Sequence, residues 1–420
     1  MTDRTGFAAK ARELDEADPL GDYPNRFLPT DDDIVAYFDG NSLGRPPAVT
    51  AERMEHFVRH QWRARLIRGW DDGWLDWPTT VGDRLGEAVL GAAPGQLVVA
   101  DSTTVLLYKL ARAALHIRPE RREILLDTDN FPTDRYVVEG IADEHDLTLR
   151  WIETDPAAGI TAEQVANAVG PNTALVVFSH VAYRSGYLAD AAAITRLAHE
   201  AGALALWDLS HSAGSVPVEL DDWDVDFAVG CGYKYLNGGP GAPAFAYVNG
   251  RHQHNLRQPV QGWMGHRSPF AMGPGHEPAP GIRGVLSGTP PVLGMVPLLS
   301  GVELLEQAGI DAIRAKSLLL SDFALELADA WVSPLGVRLA SPREHCRRGG
   351  HITLCRADFA RVNEELRRRG VVPDFRAPDG IRIGLSPLST RFTEVYSGMA
   401  MLAEVAAETA RMSPSRHSEE

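Results

Sequence analysis

Lys234 stands alone in Gly232-Tyr233-Lys234, between an apolar run ending at Val229 and the glycine-rich stretch Leu236-Asn237-Gly238-Gly239-Pro240-Gly241. Upstream, the apolar run Leu204-Ala205-Leu206-Trp207 ends in Asp208, with His211 three residues further on. An amine and an acid at the ends of two parallel strands suit an aldehyde cofactor with a ring nitrogen. The lysine would form a Schiff base with the aldehyde. The carboxylate would hold a proton on the pyridine nitrogen. Pyridoxal 5'-phosphate, which serves as an electron sink, requires both. Taken singly, each residue reads more simply as a surface lysine before a turn or an aspartate capping a helix. The pair points to the cofactor.

A phosphate needs backbone N–H groups, hydroxyls or a helix N-terminus. Asp101-Ser102-Thr103-Thr104 offers all three, and reads equally as an ordinary N-cap. Phe131 could give the ring a face, or could be a core aromatic beside Pro132. Asp134 could bond the ring or cap the following helix. His211 could line the site or be a satisfied loop histidine. Tyr233 could touch the phosphate, act as an acid, or simply pack. Arg382, in Gly380-Ile381-Arg382-Ile383-Gly384, is either a carboxylate clamp on a buried strand or an edge-strand arginine facing water.

The elements that position these groups follow from hydrophobic period. A charged helix spans 3–17. Apolar strands recur at 97–100, 123–127, 149–152, 173–179, 203–208 and 225–229. Amphipathic helices lie near 103–117, 132–146, 161–169 and 189–201. This alternation predicts an α/β fold with a mostly parallel sheet covered on both faces. Ligands then sit at the carboxyl ends of strands, where Asp208, Lys234 and Ser179 fall. Helices at 292–308 and 311–330 follow. Strands near 350–354 and 380–385, a helix at 358–369 and a last helix at 391–411 read as a smaller α+β domain. The expected division is 1–50 packing with the small domain, 51–308 as the cofactor-binding domain, 309–412 as the small domain, and 413–420 as a disordered tail.

Composition narrows the class. Lys and Arg number 41 against 56 Asp and Glu, a net charge of −15. That disfavours nucleic acid and anionic membrane as partners. Cys231, Cys346 and Cys355 form no metal-ligand spacing and no even disulfide set, so no metal is expected and the compartment reads as reducing and cytoplasmic.

The chain resembles the kynureninase family, pyridoxal-phosphate-dependent hydrolases with the aspartate aminotransferase type of fold and class V aminotransferase relatives. The matching segments are 38–44, 127–134, 207–214, 231–241, Gly262-Trp263, 287–291 and 386–392. They extend over about 37–396, nearly the whole chain. The resemblance implies that Lys234 is the Schiff-base lysine and Asp208 the partner of the ring nitrogen. It implies that Thr103, Thr104, Ser179, His211 and Tyr233 line the cofactor, with Phe131, Pro132, Thr133 and Asp134 along its ring. Trp263 and Thr289 would reach the phosphate of a neighbouring subunit, making a homodimer with a shared site. Arg382 would hold the substrate α-carboxylate, with Asn41, Ser42 and Trp70 near the aryl ketone.

The reaction so implied is hydrolysis of L-kynurenine, or its 3-hydroxy form, to anthranilate (or 3-hydroxyanthranilate) and L-alanine in tryptophan catabolism. Tyr233 is the candidate acid. Trp70 offers an apolar wall, so L-kynurenine is expected to be accepted at least as well as the 3-hydroxy form. Ala182 departs from the asparagine common in bacterial members. A ring-substituted kynurenine of secondary metabolism is therefore an alternative. A cysteine desulfurase or an aminotransferase of the same fold is another, the desulfurase on the strength of Cys346 in a basic, loop-like segment.

Overall fold

Burial of period two sorts the main sheet onto two cores. The computed structural model describes residues 4–31 and 33–412; the tail 413–420 expected to be disordered lies outside the described residues. A two-residue strand β1 (Ala36–Tyr37) comes first. Then come β2 (Leu97–Ala100), β3 (Glu123–Asp127), β4 (Thr148–Ile152), β5 (Thr173–Ser179), β6 (Leu204–Asp208), β7 (Phe227–Gly230) and β8 (Ala244–Val248). Val99, Leu125, Val176, Ala205 and Ala228 face one core; Val98, Leu126, Val177, Leu206 and Val229 face the other. Alternate residues point to opposite faces, so a sheet buried on both sides needs near-continuous apolar strands.

The order across this sheet is β2-β8-β7-β6-β5-β3-β4. Only β8 runs antiparallel to its neighbours. The sequence reading contains no strand at β8 and no element between 45 and 96. The structure forms the helix Trp77–Val89 there, packed on β2. Its buried positions are 78, 81, 82, 85, 86 and 89, a full helical stripe. Two of them are glycines, which carry no hydropathy signal. A Cβ on Gly82 would meet the Leu97 carbonyl oxygen at 2.6 Å, so this helix lies on the strand at backbone contact.

A second sheet, β12-β13-β10-β9, contains β9 (Arg338–Leu339), β10 (His351–Cys355), β12 (Asp374–Arg376) and β13 (Gly380–Gly384). All its pairings are antiparallel. Helices Ile310–Trp331, Phe359–Arg368 and Phe392–Met412 cover it around a separate core. The helix Arg4–Ala17 packs on Phe392–Met412, and β1 pairs with β11 (Val371–Val372). Among the described residues no helix is long and apolar enough to cross a membrane.

Asp226, just ahead of β7, pins the end of the main sheet away from the strand C-termini. It is 1% exposed and meets His199 Nε2 at 2.8 Å, His252 Nε2 at 2.6 Å, Arg251 Nη2 at 2.5 Å and the Ala205 N–H at 2.8 Å. Burial raises its pKa, but these contacts outweigh burial and hold the carboxyl well below the ordinary range. Asp226→Ala should cost about 3 kcal/mol at neutral pH, as for one partner removed from a buried pair. A lowered carboxyl stabilises fully above the unfolded value, about 4, and loses that contribution as pH falls through the folded value. The gap between native and variant in urea unfolding should therefore narrow in acid. A gap that stays wide in strong acid would mean that the charge of Asp226 is not what matters.

Candidate functional site

The ends of β6, β7 and β3, with β5 between β6 and β3, build the centre. Asp208 closes β6, Lys234 follows β7, and Asp134 sits in the first turn of the helix Pro132–His145 after β3. All three side chains are buried. Asp208 accepts the Ser210 N–H at 2.8 Å. Both Asp134 carboxyl oxygens are buried without a partner. Burial, then the neighbouring Asp208 carboxylate, holds Asp134 well above the ordinary carboxylate range, while Lys234 pulls the other way. Two like charges this close cannot both ionise at low cost.

His211 joins the amine to the second sheet. Its ring nitrogens lie 3.3 and 3.4 Å from Lys234 Nζ, and Nε2 lies 3.4 Å from Arg382 Nη1. Burial, Lys234 and Arg382 all lower its pKa, so the imidazole is neutral. Tyr233 has its pKa raised, by burial first and then by Cys231, so it keeps its proton.

Phe131 lies 5.6 Å from Lys234 Nζ, measured to the ring centroid. Asn130 fixes this corner: its Oδ1 accepts the Ser179 hydroxyl at 2.7 Å and the Phe131 N–H at 2.9 Å, and its Nδ2 donates to the Val177 carbonyl at 3.0 Å. Pro132 occupies the start of the next helix, where a missing N–H costs nothing. Thr133 is half-buried beside it. Thr103 and Thr104 open the helix Thr103–Ile117, capped by Ser102, whose Oγ accepts the Val105 N–H at 3.4 Å.

Arg382 lies on β13, an interior strand, and is 1% exposed. The solvent-facing alternative is therefore corrected: β10 and β12 flank the strand on both sides. Nε donates to Asp374 Oδ2 at 2.6 Å, Nη1 to the Tyr183 carbonyl at 2.6 Å, and Nη2 to Ser42 Oγ at 2.8 Å. Asn41, next to Ser42, is fully buried, with both side-chain polar atoms unpartnered.

Trp70, Trp263 and Thr289 stand apart from this cluster. Trp70 packs edge-on against Trp74 at 5.5 Å. Trp263 is 38% exposed and Thr289 is exposed. Their loops run together, since the Met264 N–H donates to the Ser287 carbonyl at 3.0 Å. Ala182 donates its N–H to the Tyr187 carbonyl at 2.8 Å and closes the turn that carries Tyr183.

Sequence reasoning missed Asp374, Tyr183 and His351. Asp374 faces Arg382 in the β12–β13 register, which a hairpin centred on Pro378-Asp379 would have revealed. Tyr183 sets its ring edge-on to Phe131 at 5.4 Å. His351 is fully buried 5.6 Å from the His211 ring, and both its nitrogens lack partners. Burial and Arg382 lower its pKa, so it too is neutral. Nothing in the local sequence marks Tyr183 or His351.

The cluster fits pyridoxal phosphate. The buried carboxyls of Asp208 and Asp134 suit a cationic ring N–H. An aromatic face and an amine flank them, and hydroxyls and N–H groups at a helix start suit a phosphate.

Comparison with known proteins agrees. The Kynureninase C-terminal domain family matches residues 313–402. A kynureninase of Pseudomonas fluorescens is 40% identical over 400 residues, covering 93% of this chain and 94% of that protein. One of Burkholderia pseudomallei is 41% identical over 404 residues, covering 94% of each. Among solved structures, the apo cysteine desulfurase of Thermococcus onnurineus NA1 superposes with a TM-score of 0.78 at 19% identity, over 89% of this chain and 95% of that one. A C-DES variant with glycine covalently linked to its PLP cofactor superposes with a TM-score of 0.78 at 19% identity, over 88% and 96%. These two likenesses are of fold.

Asp127, at the end of β3, carries a pH signature. Burial and then Asp129 push its carboxyl up to about 7, against hydrogen bonds from the Asp129 N–H at 3.0 Å and Thr154 Oγ1 at 3.4 Å. A raised carboxyl stabilises fully below the unfolded value, about 4, and that stability is lost as pH rises through the folded value. Asp127→Asn keeps the acceptor and removes the titration. Its Tm should exceed the native Tm above about pH 7 and show a flatter profile on the acid side. Parallel Tm–pH curves would rule out this titration.

Proposed function

The chain belongs to the kynureninase family, and from that premise we propose that it hydrolyses the Cβ–Cγ bond of L-kynurenine to anthranilate and L-alanine, with the 3-hydroxy form as a second substrate. The observation that carries the reading is one buried cluster holding Lys234, the Asp134 and Asp208 carboxyls, neutral His211 and Arg382. Bound pyridoxal phosphate supplies an aldehyde that captures the substrate amine and a ring that takes up the electron pair released at Cα.

The chain's own groups do the rest. Lys234 anchors the cofactor and moves the proton at Cα. Asp208 keeps the ring nitrogen protonated, with Asp134 beside it. Arg382 binds the substrate carboxylate through the edge facing His211 and Ser42, while Asp374, in contact with Nε and Nη2, fixes the guanidinium. Asn41 and Ser42 border that edge and face the ketone, at whose carbon water adds as the Cβ–Cγ bond breaks. Tyr233, held protonated, donates to Cβ. Ser179, through Asn130, keeps Phe131, Pro132 and Thr133 along the ring.

Thr103 and Thr104 cradle the phosphate from within the chain, and Trp263 and Thr289 reach it from a second copy. Exposed apolar side chains support a homodimer: Trp62, Leu66, Ile67, Phe270, Met272 and Leu293, on the segments that carry Trp70, Trp263 and Thr289. We read 51–308 as the cofactor domain and 309–412 as the small domain that 1–50 joins. Free cysteines suit a reducing, cytoplasmic setting.

Native protein incubated with L-kynurenine should release anthranilate and alanine. Lys234→Ala should release neither and should carry no borohydride-trapped cofactor, with its circular dichroism unchanged. A trapped adduct in that variant would remove Lys234 from its role. The shared site is checked by mixing. Lys234→Ala combined with a Trp263→Ala/Thr289→Ala chain should regain about a quarter of native activity, because random exchange puts half the chains in hybrids with one whole site. No recovery after verified exchange, or a fully active monomer, would count against sharing.

A further inference from the structure

A fully buried lysine sits behind the phosphate cradle, with no task in the reaction above. Lys109 lies on the inner face of the helix Thr103–Ile117, among Leu106, Leu107, Leu110 and Ala113, and is 0% exposed. Its Nζ is 2.6 Å from Asp101 Oδ2 and donates to the Val285 carbonyl at 3.0 Å. At 1.5 Å of rise per residue it stands about 9 Å along the helix from Thr103.

Asp101 opens the cradle with a φ of 44°, a left-handed conformation that costs a non-glycine residue energy. Its carbonyl accepts the Ala244 N–H of β8 at 3.1 Å, and its side chain is tied to Lys109. Val285 ends the turn Gly281–Val285 and stands two residues before Ser287, which bonds the Trp263 loop. A single ammonium thus joins the residue that starts the cradle to the segment that leads to Thr289 and bonds the Trp263 loop.

Neither charge is tolerable alone. A buried ammonium must be paired. An unpaired Asp101 carboxylate would face the incoming phosphate dianion across the first turn of the helix, and like charges so placed repel. We infer that Lys109 is a positioning residue for the cofactor phosphate: it neutralises Asp101 at the start of the cradle, whose charge would otherwise oppose the phosphate. The inference rests on the cradle proposed above.

The test compares pyridoxal phosphate with pyridoxal, which lacks the phosphate, by absorbance titration of cofactor-stripped protein. Lys109→Met should weaken pyridoxal phosphate binding by about tenfold or more and change pyridoxal binding by less than about twofold. A merely structural lysine would weaken both alike, and equal losses, or none, would overturn the inference. Lys109→Met/Asp101→Asn removes both charges and should recover most of the lost phosphate preference. If the single variant does not fold, this double variant decides, and a phosphate preference lost in it as well would also overturn the inference. Two controls address the underlying reading separately. Thr103→Val/Thr104→Val should lose phosphate preference, and if it does not, the cradle is misplaced. A native protein that sediments as a monomer defeats the shared site, while the phosphate-selective loss still decides the role of Lys109.

Discussion

Two acids buried side by side set the terms for the site. Asp134 follows β3 and Asp208 closes β6, two strands with β5 between them, and where the two acids meet, burial and the Asp208 carboxylate raise the pKa of Asp134. Such a pair is unstable unless a positive group stands close. Lys234 is one such group, and a protonated ring nitrogen is a second. The surrounding order serves this constraint. β6 must lie beside β7 for the acid to face the lysine, and a slip of one residue would turn Asp208 into the opposite core. His211 and His351 stay neutral in the same volume, so they add hydrogen-bonding capacity without a third and fourth positive charge.

The second sheet contributes through one side chain. Arg382 draws Asp374 from its own hairpin, Tyr183 from the turn after β5, and Ser42 from the segment after β1. A guanidinium has five donors in a fixed fork, so one residue can fix several backbone segments at once. Its side chain is buried and its donors are engaged by all three segments, which holds it from water. The surface between the two cores is therefore held by a polar contact of defined geometry as well as by apolar packing.

What the sequence discloses follows from how local each signal is. Strands β3 to β7 are legible because each is a short run rich in apolar residues, and β3, β4 and β5 are each followed by a helix. Lys234 and Asp208 are legible because a charge that ends an apolar run stands out. β8 is not, since Ala244–Val248 follows a glycine-rich loop and belongs to no strand–helix unit. The helix Trp77–Val89 is hidden because its closest contacts are made by glycines, which hydropathy does not register. Asp374 needs a pairing register and Lys109 a tertiary partner. Neither can be seen in a window of neighbouring residues. Trp70 shows the opposite limit, since an aromatic in a tryptophan-rich stretch says little about which cavity it lines.

The place of β8 has a consequence for how the chain is made. β2 is an edge strand whose only sheet neighbour among the described residues is β8, and roughly 140 residues separate the two. As the polypeptide leaves the ribosome, β3 to β7 can pair in turn, each with a recently synthesised partner. β2, with the turn at Asp101 behind it, has to wait until β8 emerges. Until then its backbone donors and acceptors are unpaired, and the helix Trp77–Val89 is the cover at hand. On this ordering β2, which precedes every other strand of the main sheet in the chain, is among the last of them to be paired. Nascent chains stalled before β8 should present an apolar edge that chaperones bind, and those stalled after it should not.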